Sequence, residues 1–269
     1  MRIGLLTFHF PINYGALLQT FALNKTLKDF GHKVEIINYY SREHKSKYNF
    51  YQIPKTAKNF IYYFIKTFFL IQHIKKVNKL KRFVRQNLRI SSRINTLENI
   101  ELNYDVIITG SDQVFNLNFP DRLNYFLPCI KKKGQKKIAY APSFGSCLLD
   151  HSLKNRIIDL VRDYDHISCR EKDGTNFLEE IVGRNVEHVL DPVFLLSLRE
   201  WSSLASPNLL NEEYILIYDL NGRKALIDIA QRIRGNNKIV IITNNPIAKI
   251  QKEYKGVDVF IQTAGIEDF

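Results

Sequence analysis

Six short stretches of this 269-residue sequence carry side chains suited to binding an anion or moving a proton, and each follows an apolar run. Residues 9–15, with His9, Asn13, Tyr14 and Gly15, follow the run 3–8. Gly110-Ser111-Asp112-Gln113 follows Val106-Ile107-Ile108, and residues 141–145, with Ser143 and Gly145, follow Ile138-Ala139-Tyr140. Arg170-Glu171, Asp191-Pro192 and the stretch 219–222 complete the set. A guanidinium grips phosphate or carboxylate with two parallel hydrogen bonds and does not lose its charge, which makes Arg170 the first candidate for an anion. The structural alternative is an ion pair with Glu171 or another acid. His9 is suited to acid–base work, although a lone loop histidine is more often structural. Ser111 and Asp112 are placed to line a cleft or to cap a helix, and Ser143 and Gly145 offer hydroxyl and backbone donors. Asn13 and Gly15 suit a tight strand-to-helix turn whose backbone amides are left to meet an anion.

The elements that place these stretches alternate. Ala16, Leu23, Leu27 and Phe30 fall at helical spacing before Gly31, and Val34-Glu35-Ile36-Ile37 reads as the next strand. Strands are predicted at 105–109, 137–140, 166–168 and 186–190, with helices near 153–162 and 175–182. A polar linker, 205–213, precedes a strand at 214–218, a helix near 223–234, a strand at 238–243 and a weaker one at 257–261. This order predicts an α/β protein of two Rossmann-like units in tandem, 1–204 and 214–269, with ligands beyond the carboxyl ends of the strands.

The net charge of +12 is local: residues 41–95 hold fourteen Lys or Arg against one acid, and the remainder of the chain sums to −1. That segment reads as a basic helical insert in the first domain, packed with its lysines solvated. Peripheral contact with an anionic membrane surface is the alternative, since the insert also holds the aromatic run from Phe60 to Ile71. No recognition motif accompanies the charge, which argues against nucleic acid. Cys129, Cys147 and Cys169 lack CxxC pairing and fit reduced thiols, and no histidine or acidic spacing specifies a metal. With no signal peptide or membrane span legible, a cytoplasmic location is expected, or one at the inner face of the membrane.

The blocks NYGALLQ (13–19), GSDQVFN (110–116), YAPSFG (140–145), SCRE (168–171), DP (191–192) followed by Trp201, and YILIYDL (214–220) together resemble the polysaccharide pyruvyl transferase family, in order and over nearly the whole chain. The resemblance implies a glycosyltransferase-B-like fold. It also implies transfer of pyruvyl from phosphoenolpyruvate, as donor substrate with no cofactor, to a sugar or lipid-linked saccharide of a surface polysaccharide. Two sugar hydroxyls end in a cyclic ketal and phosphate leaves. Protonating the methylene carbon of the donor calls for a general acid, and the attacking hydroxyl for a base. On this reading Arg170 and Glu171 meet the donor, and Asn13, Tyr14, Gly15, Ser111, Gln113, Ser143 and Gly145 line the substrate site. Asp112 is base or orienter of a sugar hydroxyl, with His9 a second acid–base candidate.

Two departures from the family pattern stand out. Phe115 occupies a position where tryptophan is expected, a change that keeps an aromatic wall. The chain also stops at TAGIEDF, where the resemblance implies a following block with a catalytic histidine; a chain without that block is expected to bind donor without turning over. The alternatives of other classes are a nucleotide-sugar glycosyltransferase and a non-catalytic, membrane-associated partner protein.

Overall fold

The computed structural model describes residues 1–9, 13–39, 70–97, 103–118, 122–128, 134–207, 210–219, 224–243 and 254–268. Much of the basic segment, most of the run from Phe60 to Ile71, Cys129 and residues 220–223 lie outside the described residues. The chain divides into two compact units, Met1–Asn49 with Val84–Trp201, and Phe50–Phe83 with Ser202–Phe269.

In the first unit β1 (Arg2–Leu6), α1 (Tyr14–Asp29) and β2 (Lys33–Ile36) form the expected β-α-β unit. They are followed by β3 (Val106–Thr109), β4 (Lys136–Ala139), α3 (His151–Val161), β5 (His166–Cys169), α4 (Lys172–Val182) and β6 (Glu187–His188). α2 (Leu70–Asn87) precedes β3. The six strands make one parallel sheet in the order β2-β1-β3-β4-β5-β6.

Alternation along short buried strands feeds two cores. Leu6, Ile107, Ala139 and Ile167 share one with Phe115, Phe126, Phe144, Ile157 and Leu178, whereas Ile3, Leu5, Ile36, Val106 and Ile108 share the other with Leu23 and Leu88. α1 begins at Tyr14, ahead of the predicted Ala16, because Asn13 Oδ1 accepts a hydrogen bond from Ala16 N (3.2 Å) and caps the helix there. β6 is shorter than the predicted 186–190: only Glu187 and His188 pair with β5, and Leu190 beyond them is 61% exposed, so little apolar burial holds the chain extended.

The second unit holds β7 (Tyr214–Asp219), α5 (Lys224–Ile233), β8 (Lys238–Thr243) and β9 (Val259–Ile261), its strands a parallel sheet in the order β7-β8-β9. Ile227 and Ala230 of α5 pack with Ile217, Ile239, Ile241 and Tyr254 on one sheet face. The other face, with Leu216, Val240 and Ile242, borders a 380 Å³ cavity that Gln72 and Lys79 also line.

The sequence puts the whole basic segment in the first domain; the division instead falls within α2. Lys79 Nζ pairs with Asp268 at 2.7 Å in the second unit, while Val84 and Leu88 pack in the first unit's core. Leu80 and Phe83 are wholly buried and Lys75, Lys81, Arg82 and Arg85 are exposed, the pattern of a packed helix with a largely solvated basic face. Lys76 departs from the expected solvated lysines, being 3% exposed, and burial lowers its pKa to about 8. Among the described residues no helix is long and apolar enough to cross a membrane.

Candidate functional site

In the first unit the sequence-selected residues gather where β1, β3, β4 and β5 end, the edge at which open parallel sheets bind ligands. After β1, Thr7 is wholly buried and its Oγ1 donates to Ser111 O (3.0 Å), so the β1 exit is tied to the β3 exit. Gln19 of α1, itself 2% exposed, donates through Nε2 to Thr7 Oγ1 (2.9 Å). His9 is 5% exposed, with Nδ1 3.0 Å from Thr7 O and Nε2 3.3 Å from Asn38 Oδ1. Burial lowers its pKa below the ordinary 6.5, outweighing both contacts, and so favours the neutral ring. Asn13 is spent as the α1 cap; Tyr14 is 1% exposed inside the fold and Gly15 lies on the exposed side of the first turn.

The exits of β3 and β4 interlock. The Gly110–Ser111 peptide is cis, and a Cβ on Gly110, at φ 104°, would collide with Tyr140 O. Ser111, wholly buried, donates to Ala141 O (2.9 Å). Asp112, at φ 71°, accepts at its backbone oxygen from Ser143 N (2.9 Å) and at Oδ1 from Gln113 N (2.7 Å). Gln113 Oε1 accepts from Asn116 Nδ2 (3.1 Å), and Ser143 Oγ accepts from Gly145 N (3.0 Å). Both serine hydroxyls are thus engaged in holding loops. Phe115 is no cleft wall: it is wholly buried and stacked on Phe126 at 4.1 Å, because the loop turns its ring into the core.

The β5 exit joins this lattice through Arg170 N, which donates to Pro142 O (3.2 Å), and through Ser168 Oγ, which accepts from Ala141 N (3.0 Å). The Arg170 side chain is 27% exposed; Nη1 donates to Asp191 Oδ2 at 2.7 Å and Nε to Glu171 Oε1 at 3.3 Å. Burial works against its charge, yet Asp191 and Glu171 prevail and raise the pKa further. Among the described residues Nη2 has no partner. Glu171 is also the N-cap position of the eleven-residue α4 and makes no side-chain cap bond, so its carboxylate leaves the first-turn N–H groups of α4 uncapped beside the guanidinium, with Asp173 the acid of that first turn. From Glu171 a 570 Å³ groove runs along α4, lined by Gly145, Leu148, Asp173, Asn176, Phe177 and Glu180.

Sequence reasoning left Gln19 and Asp191 without roles at the site. Gln19 was legible as a lone amide on an otherwise apolar helix face; Asp191 stood in the right stretch, but no spacing rule says that residue 191 reaches residue 170. Among the described residues no group of three or more His, Cys, Asp or Glu is placed to hold a metal.

The family model for polysaccharide pyruvyl transferase matches residues 13–269. The chain belongs to that family. No curated protein matches the sequence significantly. Among solved structures, an alpha-glucosyltransferase in complex with UDP and a 13-mer DNA containing a HMU base aligns at TM-score 0.52 and 12% identity, covering 99% of this chain and 68% of its own. The glycosyltransferase VinC in complex with DTDP aligns at TM-score 0.33 and 12% identity, covering 96% and 71%. The first likeness shows the fold alone, which is α/β and glycosyltransferase-B-like, and places this pyruvyl transferase family member on that architecture.

Proposed function

We propose that the chain binds phosphoenolpyruvate at the β5 exit, the donor-binding part of pyruvyl transfer to a sugar of a surface polysaccharide, in which a ketal forms as phosphate leaves. Turnover calls in addition for the acid that the family resemblance assigns to the following block. The observation that carries this reading is the Arg170 guanidinium, held charged with Nη2 uncommitted, beside the open N-terminus of α4. A phosphate or carboxylate there gains charge-assisted hydrogen bonds together with the helix end. The groove along α4 adjoins this anchor, and its carboxylates, Asn176 amide and apolar floor suit the hydroxyls and ring face of a saccharide acceptor. Asp112 is the candidate base. His9 is a poor acid for substrate: its ring is buried, its burial favours the neutral form, and both nitrogens face protein oxygens.

Thermal protection tests the donor. Phosphoenolpyruvate at about 100 times its Kd stabilises a native protein by about 2.7 kcal/mol. The expected result is protection of the wild type, none for Arg170→Ala, and none by nucleotide sugars. Protection by a nucleotide sugar instead, without phosphoenolpyruvate, selects the glycosyltransferase alternative.

A further inference from the structure

Asp191 does two things at once. Its Oδ2 accepts from Arg170 Nη1 at 2.7 Å, and its Oδ1 accepts from Val193 N at 3.1 Å, capping a short 3-10 helix, Pro192–Leu195. That helix is secured from the far side, where Trp201 Nε1 donates to Val193 O (3.0 Å) and the Trp201 ring meets Phe21 of α1 at 5.8 Å. The Arg170 backbone is also held, since His188 Nε2 donates to Arg170 O (3.1 Å). Glu171 grips the guanidinium at Nε from the other side. A planar fork held at Nε and Nη1 has its plane and direction fixed, and Nη2 is the nitrogen left to present.

We propose that Asp191 is a positioning residue for Arg170, its carboxylate aiming the Nη2 edge of the guanidinium at the anionic donor. This rests on the donor reading above. A long arginine side chain free to sample rotamers must be ordered at binding, and holding it beforehand removes that cost. Asp191 is also an anion close to an anion site, so the opposite outcome, a competitor that Arg170 must leave, is physically distinct and measurable.

Asparagine caps a helix as well as aspartate does, so Asp191→Asn keeps the bond to Val193 N and removes the charged grip on Arg170. Calorimetric titration with phosphoenolpyruvate is run on the wild type, Asp191→Asn, Arg170→Ala, the double variant, and Trp201→Phe as a control that loosens the 3-10 helix without touching the carboxylate. Phenylglyoxal labelling of Arg170, read by peptide mass, reports its freedom without any donor. Expected are binding about tenfold weaker in Asp191→Asn, several-fold faster labelling of Arg170, no further loss in the Arg170→Ala background, and near wild-type affinity in Trp201→Phe. Unchanged affinity and labelling in Asp191→Asn, tighter binding, or an equal loss in Trp201→Phe each overturn the proposal. If the wild type binds no phosphoenolpyruvate, the donor reading fails by itself. Labelling then decides whether Asp191 holds Arg170, and an unchanged rate overturns that too.

Discussion

Thr7 Oγ1 donates to the backbone oxygen of Ser111 at 3.0 Å, joining two residues 104 positions apart, and Gln19 completes the contact by donating to the same hydroxyl. All three side chains are buried, so the cluster exchanges no bonds with water. Gln19→Leu removes the Nε2 donor shared by Thr7 Oγ1, Phe8 O and Ala16 O, each of which keeps another bond, together with a buried Oε1 that has no partner among the described residues. The expected cost is about 0.5–1.5 kcal/mol, seen as a lower midpoint in urea at unchanged slope. A midpoint equal to wild type would show that the helix–strand tie carries no stability.

Gly145 stands at φ 59° with Gln113 Oε1 and Asn116 Nδ2 each 2.7 Å from where a Cβ would be. Gly145→Ala therefore combines an unfavourable backbone with a clash against a hydrogen-bonded pair. We expect about 1–3 kcal/mol of destabilisation and weakened phosphoenolpyruvate binding, because the same loop holds Ser143 and lines the groove. Binding unchanged at lowered stability would separate the loop from the site.

Lys137 is 3% exposed in β4, with Nζ donating to Asp163 Oδ1 (2.7 Å) and Leu160 O (3.1 Å) and lying 4.2 Å from the centre of the Tyr164 ring. Asp163, in contrast, is 54% exposed, so water replaces much of what it gives. Asp163→Asn should cost about 0–1 kcal/mol, and Lys137→Ala about 2–4 kcal/mol through lost packing and an unserved carbonyl. Equal costs in chemical denaturation would contradict this asymmetry.

His9 gives a pH dependence of stated sign. Its folded pKa lies below the ordinary 6.5, mainly through burial, so the unfolded chain takes up the proton first as pH falls. Stability from this group is full above 6.5 and declines as pH drops below it toward the folded pKa, by at most about 1.4 kcal/mol per pH unit. His9→Leu should flatten the curve of unfolding free energy between about pH 7 and 5, whatever its effect on the level. An unchanged slope would mean that His9 titrates alike in both states.

The Cys169 thiol is wholly buried and pushed up to about 12, burial being the main cause. At pH 8 on the order of one such thiol in ten thousand is ionised, so iodoacetamide should label the half-buried Cys147 and leave Cys169 unmodified in the native state. Rapid labelling of Cys169 would reveal opening of the β5 exit.

The local order was legible because its causes are local. Apolar runs such as Val106-Ile107-Ile108 leave few options but a buried parallel strand, and the helical spacing from Ala16 to Phe30 fixes α1 apart from its cap. Which residues end those strands follows directly, so Ser111, Asp112, Ser143 and Arg170 were found from the sequence. Their duties were not. Ser111 and Ser143 turn their hydroxyls onto loop backbone, and Phe115 enters the core rather than walling a cleft, because each answers to neighbours dozens of residues away.

By itself, then, the amino-acid sequence determined the α/β alternation, the strand-end placement of the polar residues and the family, since periodicity and short blocks are carried by neighbours along the chain. Only the tertiary structure decided that His9 is enclosed, that Asp191 grips Arg170, and that α2 divides between two units. The reason is physical: burial, desolvation and hydrogen-bond partnership depend on which distant segments meet, and parallel strands joined by long crossovers bring together residues whose separation in sequence says nothing of their separation in space.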